Sequence, residues 1–261
     1  MLYIHENNLD HKIIANYKGK RTAIEAFKND CYIPMREQML SLNFSSDNDD
    51  AFEEAAEICN GYYEAIELFS DKYGITSQSK FASTFLEEIS AYLFKDLPAI
   101  KKGVFSVFNK GIYAGMKIAG EDDIAIIKKD VDFCIGKKIN ISIDDAYREE
   151  IILPIVAVEV KTYLDATMFG EIKSSSKAIR SATPNSKAYV LMGYKDLANE
   201  HIIAARQDAT LTEMFALRRS KYGLIEASAL YDYWNEISDA VNSISEEEPV
   251  NSLGKLLYPE K

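Results

Sequence analysis

The sequence predicts an α/β fold (α+β by some conventions) with a helical N-terminal region. Three observations carry this. Residues 151–158, Ile-Ile-Leu-Pro-Ile-Val-Ala-Val, have the length and β-branched content of a strand buried on both faces. Residues 139–143, Ile-Asn-Ile-Ser-Ile, alternate as a half-buried strand does. Residues 51–73 and 79–94 carry apolar side chains at the three-to-four spacing of amphipathic helices.

In chain order, residues 1–18 are polar with scattered apolar positions and receive no assignment. Residues 20–42 place Ile24, Phe27, Cys31, Met35 and Leu42 at helical spacing, with an interruption expected near Pro34. The acids and amides from Asp47 to Asp50 open a helix where the macrodipole favours negative charge. That helix runs to Tyr73 and stops at Gly74. The next spans Ser79 to Phe94, its apolar side formed by Phe81, Phe85, Ile89, Tyr92 and Leu93, and ends before Pro98. Residues 104–108 and 112–118 have strand character, punctuated by glycines.

Residues 124–135 read as one strand, with Val131, Phe133 and Ile135 on one face and Asp130, Asp132 and Cys134 on the other. The alternating stretch 139–143 extends the sheet or forms an arm over a cleft. After the organising strand, residues 167–182 suit a helix, Pro184-Asn185 a turn, and residues 187–193 a further strand. Met214 to Lys221 is the densest cationic stretch of an acidic chain, and residues 224–244 read as a final helix containing Trp234. The tail from Ser245 is polar and acidic.

The organising strand ends in Glu159-Val160-Lys161. Residues i and i+2 of a strand share a side, so Glu159 and Lys161 lie together while Val158 and Val160 pack opposite. Burying a carboxylate beside an ammonium costs hydration, so the two either pair as a strand-end salt bridge or form a site. An Asp on one strand and Glu-x-Lys on a later one resembles the PD-(D/E)xK nuclease superfamily, although the Pro of that name is absent here. The resemblance spans roughly residues 80–195: helix, strands, the motif at the end of an apolar run, helix, strand. The longer string Glu-Val-Lys-Thr-Tyr-Leu-Asp-x-Thr-Met is similar to type II restriction endonucleases, in particular a group that cuts CTNAG-type sites.

The resemblance implies a restriction-endonuclease-like core with a central mixed β-sheet flanked by helices. It implies segments of 1–78 (helical, for dimerisation or DNA contact), 79–195 (nuclease core) and 196–261 (C-terminal extension). Asp132 and Glu159 become metal ligands, with the Val160 carbonyl as a third, and Mg2+ is the expected ion because it takes oxygen ligands. Lys161 would orient the attacking water and neutralise the phosphate. Asp130 is the alternative to Asp132. The helix before the first core strand often adds an acid in this superfamily. Glu87, with small neighbours on its helix, is preferred over Glu88; the competing reading is two solvent-exposed glutamates. Arg206, Arg218, Arg219 and Lys221 are the expected DNA contacts, against the plainer reading of surface charge paired with acids. Gly111-Ile112-Tyr113 lacks the rest of a GIY-YIG nuclease pattern and is a chance match.

A net charge of -11 over 261 residues argues against a protein that coats nucleic acid non-specifically. It leaves room for a sequence-specific nuclease with a local basic cleft. The three cysteines and three histidines are scattered and suggest neither a zinc site nor a disulfide framework. No signal peptide or membrane span is visible, so a cytoplasmic prokaryotic protein is expected. The leading expectation is a Mg2+-dependent type II restriction endonuclease acting on double-stranded DNA, as a homodimer or, for an asymmetric site, a heterodimer. The rivals are a structure-specific repair or recombination nuclease and a non-enzymatic acidic helical interaction protein.

Overall fold

A computed structural model describes residues 2–119, 124–143, 147–207 and 210–245. The N-terminal region folds as α1 (Ile4–Ile14), α2 (Arg21–Phe27), α3 (Ile33–Ser41) and the long α4 (Asp49–Tyr73). The break between α2 and α3 falls at residues 28–32, a π-turn. Its cause is Pro34, whose ring and missing N–H disturb the carbonyl one turn earlier, at Asp30 inside that turn. The apolar spacing does not announce α1; its buried residues are Ile4, His5 and Leu9.

Next come α5 (Phe81–Leu93), the short α6 (Pro98–Lys101), β1 (Ser106–Phe108), β2 (Ile112–Ile118), β3 (Ile124–Lys129), β4 (Phe133–Ile143) and β5 (Tyr147–Leu164). The chain then alternates α7 (Ala166–Ala182), β6 (Lys187–Lys195), α8 (Asn199–Gln207), β7 (Glu213–Arg218) and α9 (Ala227–Ser245). The polar tail beyond Ser245 lies outside the described residues.

The main sheet has five strands in the order β1-β4-β5-β6-β7, while β2 and β3 pair separately. β4 runs antiparallel to β1 and β5, whereas β6 and β7 run parallel to β5, so the sheet is mixed as expected. The single strand expected over residues 124–135 is instead two, β3 and β4, belonging to different sheets. Between them the backbone is tied sideways: the Lys110 N–H donates to the Val131 carbonyl at 2.8 Å and the Gly111 N–H to Asp130 Oδ1 at 3.0 Å.

The alternating stretch 139–143 is the outer end of β4, paired with the start of β5. Midway, Ile135 pairs with Val156 and Gly136 with Pro154, leaving Ile155 as an extra residue on β5. A Cβ on Gly136 would lie 2.3 Å from the Leu153 carbonyl oxygen, so only glycine fits this bulge. Pro154 is tolerated at such an irregularity, just ahead of Val156, where pairing with β6 begins.

One face of the sheet, with Val156, Val158, Val160, Tyr189 and Leu191, joins Phe85 and Ile89 of α5 and Tyr233 and Ile237 of α9 in the main core. That core includes residues of all three expected segments, from Leu9 to Val241. The other face is covered by α7, whose Phe169 and Ile172 pack with Leu164, Val190 and Met192, and whose Ile179 packs with Cys134 and Ala157. The stretch of β5 from Ile151 to Val158 is thus sandwiched between layers, which is why it is continuously apolar until Glu159. Among the described residues no helix is long and apolar enough to cross a membrane.

Candidate active site

β4 begins at Phe133, opposite Val158, so β5 beyond that point has lost its neighbour on one side. Asp132 occupies the gap. It lies in a bend before β4, not within a strand. Its Oδ2 accepts the Val160 N–H at 2.8 Å. The N–H and C=O of one strand residue project to the same side, so the Val160 carbonyl also faces the gap. The Lys161 Nζ lies 3.4 Å from Asp132 Oδ2 and 3.2 Å from Glu159 Oε2. Fold and i/i+2 alternation therefore bring Asp132, Glu159 and Lys161 together. Asp130 is directed elsewhere, to the Gly111 amide.

This group is electrostatically loaded. Burial, and then the charge of Asp132, push Glu159 up to about 7 against the pull of Lys161. Burial by itself would lower Lys161, but the two carboxylates outweigh it and hold the ammonium above its usual range. Glu87 on α5 is likewise pushed up to about 7, first by burial and then by Asp132, while Lys161, Lys80 and Lys110 draw it down.

Glu88 faces away from this group. It accepts the His5 N–H at 2.7 Å, the Glu6 N–H at 3.4 Å, the Tyr32 hydroxyl at 2.7 Å and the Tyr92 hydroxyl. It is fully buried, and so is His5, whose ring pairs with Thr84 Oγ1 at 2.8 Å and the Tyr62 hydroxyl at 2.7 Å. Of the two neighbouring glutamates, Glu87 thus stands beside Asp132 and Lys161, whereas Glu88 anchors α1. The buried role of His5 left no mark in the sequence, where it is a lone histidine in a polar stretch.

Residues 78–236, more than half of the chain, match the family model described as Bpu10I restriction endonuclease. The chain belongs to that family. As a member of the Bpu10I restriction endonuclease family it is a type II restriction endonuclease, an enzyme acting on DNA; the readings as a repair nuclease or an interaction protein fall away. A solved structure described as the native BbvCI A2B2 tetramer at low resolution shares the fold, with a TM-score of 0.78 and 14% identity, covering 95% of this chain and 100% of that one. No curated protein matches the chain.

Restriction endonucleases of this kind generally need a divalent metal. Among the described residues no three His, Cys, Asp or Glu side chains are drawn together as a metal-holding group. The donors that do fit are Asp132, Glu159 and the Val160 carbonyl. They are all oxygen, as magnesium prefers, and one or two carboxylates suffice for that ion. The mutual repulsion that raises Glu159 is also what a bound cation would relieve.

The expected cationic cluster divides in this Bpu10I-family fold. Arg218 is only 6% exposed: its guanidinium lies 4.3 Å from the centre of the Tyr63 ring and donates to the Tyr63 hydroxyl and the Lys221 carbonyl. Gly193 on β6 makes room for it, since a Cβ there would come within 3.1 Å of the Arg218 Nη2. Arg218 is therefore spent on joining β7 to α4 and is not available at the surface. Arg219 is exposed and meets Glu226 at 3.0 Å. Lys221 is exposed, its Nζ 5.2 Å from the Tyr222 ring centre. Arg206 belongs to α8, and its side chain lies outside the described residues.

Proposed function

We propose that this restriction endonuclease hydrolyses double-stranded DNA at a defined sequence in the presence of Mg2+, with Asp132, Glu159 and Lys161 as the reacting set. The observation that carries the reading is the meeting of Lys161 with both carboxylates at the open edge of β5. A magnesium ion held by Asp132, Glu159 and the Val160 carbonyl would supply positive charge at the phosphate and lower the pKa of a bound water. Lys161, within reach of both carboxylates, orients the attacking water and neutralises a non-bridging phosphate oxygen. The water gives up one proton to solvent as its oxygen bonds to phosphorus, one ester P–O bond breaks, and the departing oxygen takes up a proton from solvent. Glu87 extends the acidic wall and acts through water. Arg219 and Lys221 are offered to the backbone of the duplex.

Cutting both strands takes two such centres. A two-fold homodimer would suit a palindromic site. The A2B2 assembly of BbvCI, a protein of the same fold, favours the alternative, in which a second, different chain supplies the other centre and the site is asymmetric.

The test is phage-length DNA incubated with the protein in Mg2+, with an EDTA control, run on a gel. Discrete bands that vanish with EDTA are expected, and CTNAG-type sites are the first to map them against. Asp132→Ala, Glu159→Ala and Lys161→Ala should each abolish the bands while leaving thermal melting cooperative. A smear, or a variant that cuts at the wild-type rate, would overturn the reading or that residue's place in it.

A further inference from the structure

Beside the carboxylates lies a groove of about 490 Å³ whose walls include Glu87, Asp132, Lys80 and Lys110. Lys80 precedes α5 and Lys110 precedes β2; both are exposed. Both also hold a left-handed backbone, with φ of 62° each, a conformation unfavourable to residues other than glycine. Surrounding bonds impose it. The Lys80 N–H donates to the Ser77 carbonyl at 2.9 Å, and its own carbonyl accepts the Thr84 N–H at 2.9 Å. The Lys110 N–H is held by the Val131 carbonyl, and the next amide by Asp130.

The outcome is two cations planted beside an acidic centre. Their charges reach Glu87, yet among the described residues neither forms a salt bridge. A lysine needed only to neutralise a carboxylate would pair with it directly. Lys80 also lines a second groove of about 460 Å³, with Thr162 just after the motif and the exposed Tyr222 beyond. It therefore stands where the groove at the carboxylates meets the one leading to the loop that carries Arg219 and Lys221.

We propose that Lys80 and Lys110 hold backbone phosphates of the DNA strand on either side of the one that is cut, with Asp130 positioning Lys110 through the Gly111 amide. The proposal rests on reading the neighbouring carboxylates as a nuclease centre. A strand following the two grooves would pass Lys110, the carboxylates, Lys80 and the cationic loop.

Lys80→Gly and Lys110→Gly test it cleanly, because glycine adopts the left-handed backbone without strain and only the ammonium arm is lost. The probe is a fluorescein-labelled DNA duplex of arbitrary sequence, titrated by anisotropy across a KCl series with Ca2+ in place of Mg2+. Melting temperatures of both variants should equal or exceed that of the wild type. The slope of log K against log[KCl] should become shallower by about 0.9 for each lysine removed, and Lys80→Arg should restore it. An unchanged slope in well-folded variants would overturn the clamp. This readout needs no cleavage: a wild type that binds but never cuts would sink the nuclease reading alone, whereas a wild type that cuts and lysine variants with the wild-type slope would sink the clamp alone.

Discussion

Two adjacent glutamates on α5 have opposite fates, and the difference is physical. Glu88 is enclosed by hydrogen-bond donors from α1, the π-turn and its own helix. Glu87 shares a groove wall with Asp132. Removing the first strands its donors, and each buried group left unpaired costs roughly 1–3 kcal/mol. Glu88→Ala should therefore melt markedly lower and still cut DNA at a permissive temperature. Glu87→Ala relieves a carboxylate held against its charge, so it should melt at or above the wild-type temperature and cut slowly. Thermal melts alongside single-turnover cleavage separate the two; a Glu87→Ala enzyme of full speed would place Glu87 outside the chemistry. The same contrast divides the arginines. Arg218 spends its charge on an aromatic ring inside the fold, while the exposed Arg219–Glu226 pair contributes little to stability.

Among the elements, α1 carries no sequence assignment, and it is held by side chains far away in the chain. His5 is the pin. Burial lowers its pKa from the ordinary 6.5 to about 3, so the folded protein keeps the ring neutral where the unfolded chain would protonate it. A depressed folded value means that the unfolded state binds protons first as pH falls. The stability carried by His5 is complete above about pH 6.5 and drains away toward about pH 3. His5→Gln removes that titration. The melting-temperature gap between wild type and His5→Gln should be widest near neutrality and narrow on acidification; a gap independent of pH would show that the ring titrates freely in the fold. The β4–β5 pair illustrates the same principle for strands. Its bulge at Gly136 and Ile155 lies within the pair whose end at Phe133 opens the gap that Asp132 fills.

For the whole molecule, the acidic centre is costly when no cation occupies it. Glu87 and Glu159 have folded values near 7 against an ordinary 4.5. For a carboxylate raised in this way, the associated stability is present below about pH 4.5 and is lost as pH rises through about 7. Mg2+ should therefore raise the melting temperature more at about pH 8 than at about pH 6, since at the higher pH it relieves charge instead of displacing protons. Asp132→Ala should lose most of that response. Equal shifts at both pH values, or an undiminished shift in Asp132→Ala, would separate the cation from these carboxylates.

Much of this protein was legible in one dimension because the deciding forces are local. Helical spacing marked α4, α5, α7 and α9; a nearly unbroken apolar run marked β5 as a strand covered on both faces; and the alternation of a strand placed Glu159 and Lys161 on one side. These follow from the geometry of a single element; the reaction class came instead from the resemblance of Asp and Glu-x-Lys, in that order of elements, to a known nuclease superfamily. What depended on distant contacts was hidden. The sequence preferred Glu87 over Glu88 from its small neighbours, but only packing against α1 shows where the Glu88 carboxylate is satisfied. The strand expected over residues 124–135 breaks at Asp130–Asp132 because a loop nearer the N-terminus claims its hydrogen bonds. Arg218, one of a cationic run, turns inward because Gly193 and Tyr63 leave it a place. Lys80 and Lys110 are ordinary lysines in sequence, and only the fold sets both beside the carboxylates. Periodicity records which face of an element is buried; which partner buries it, and which charge is left at the site, is decided when distant segments meet.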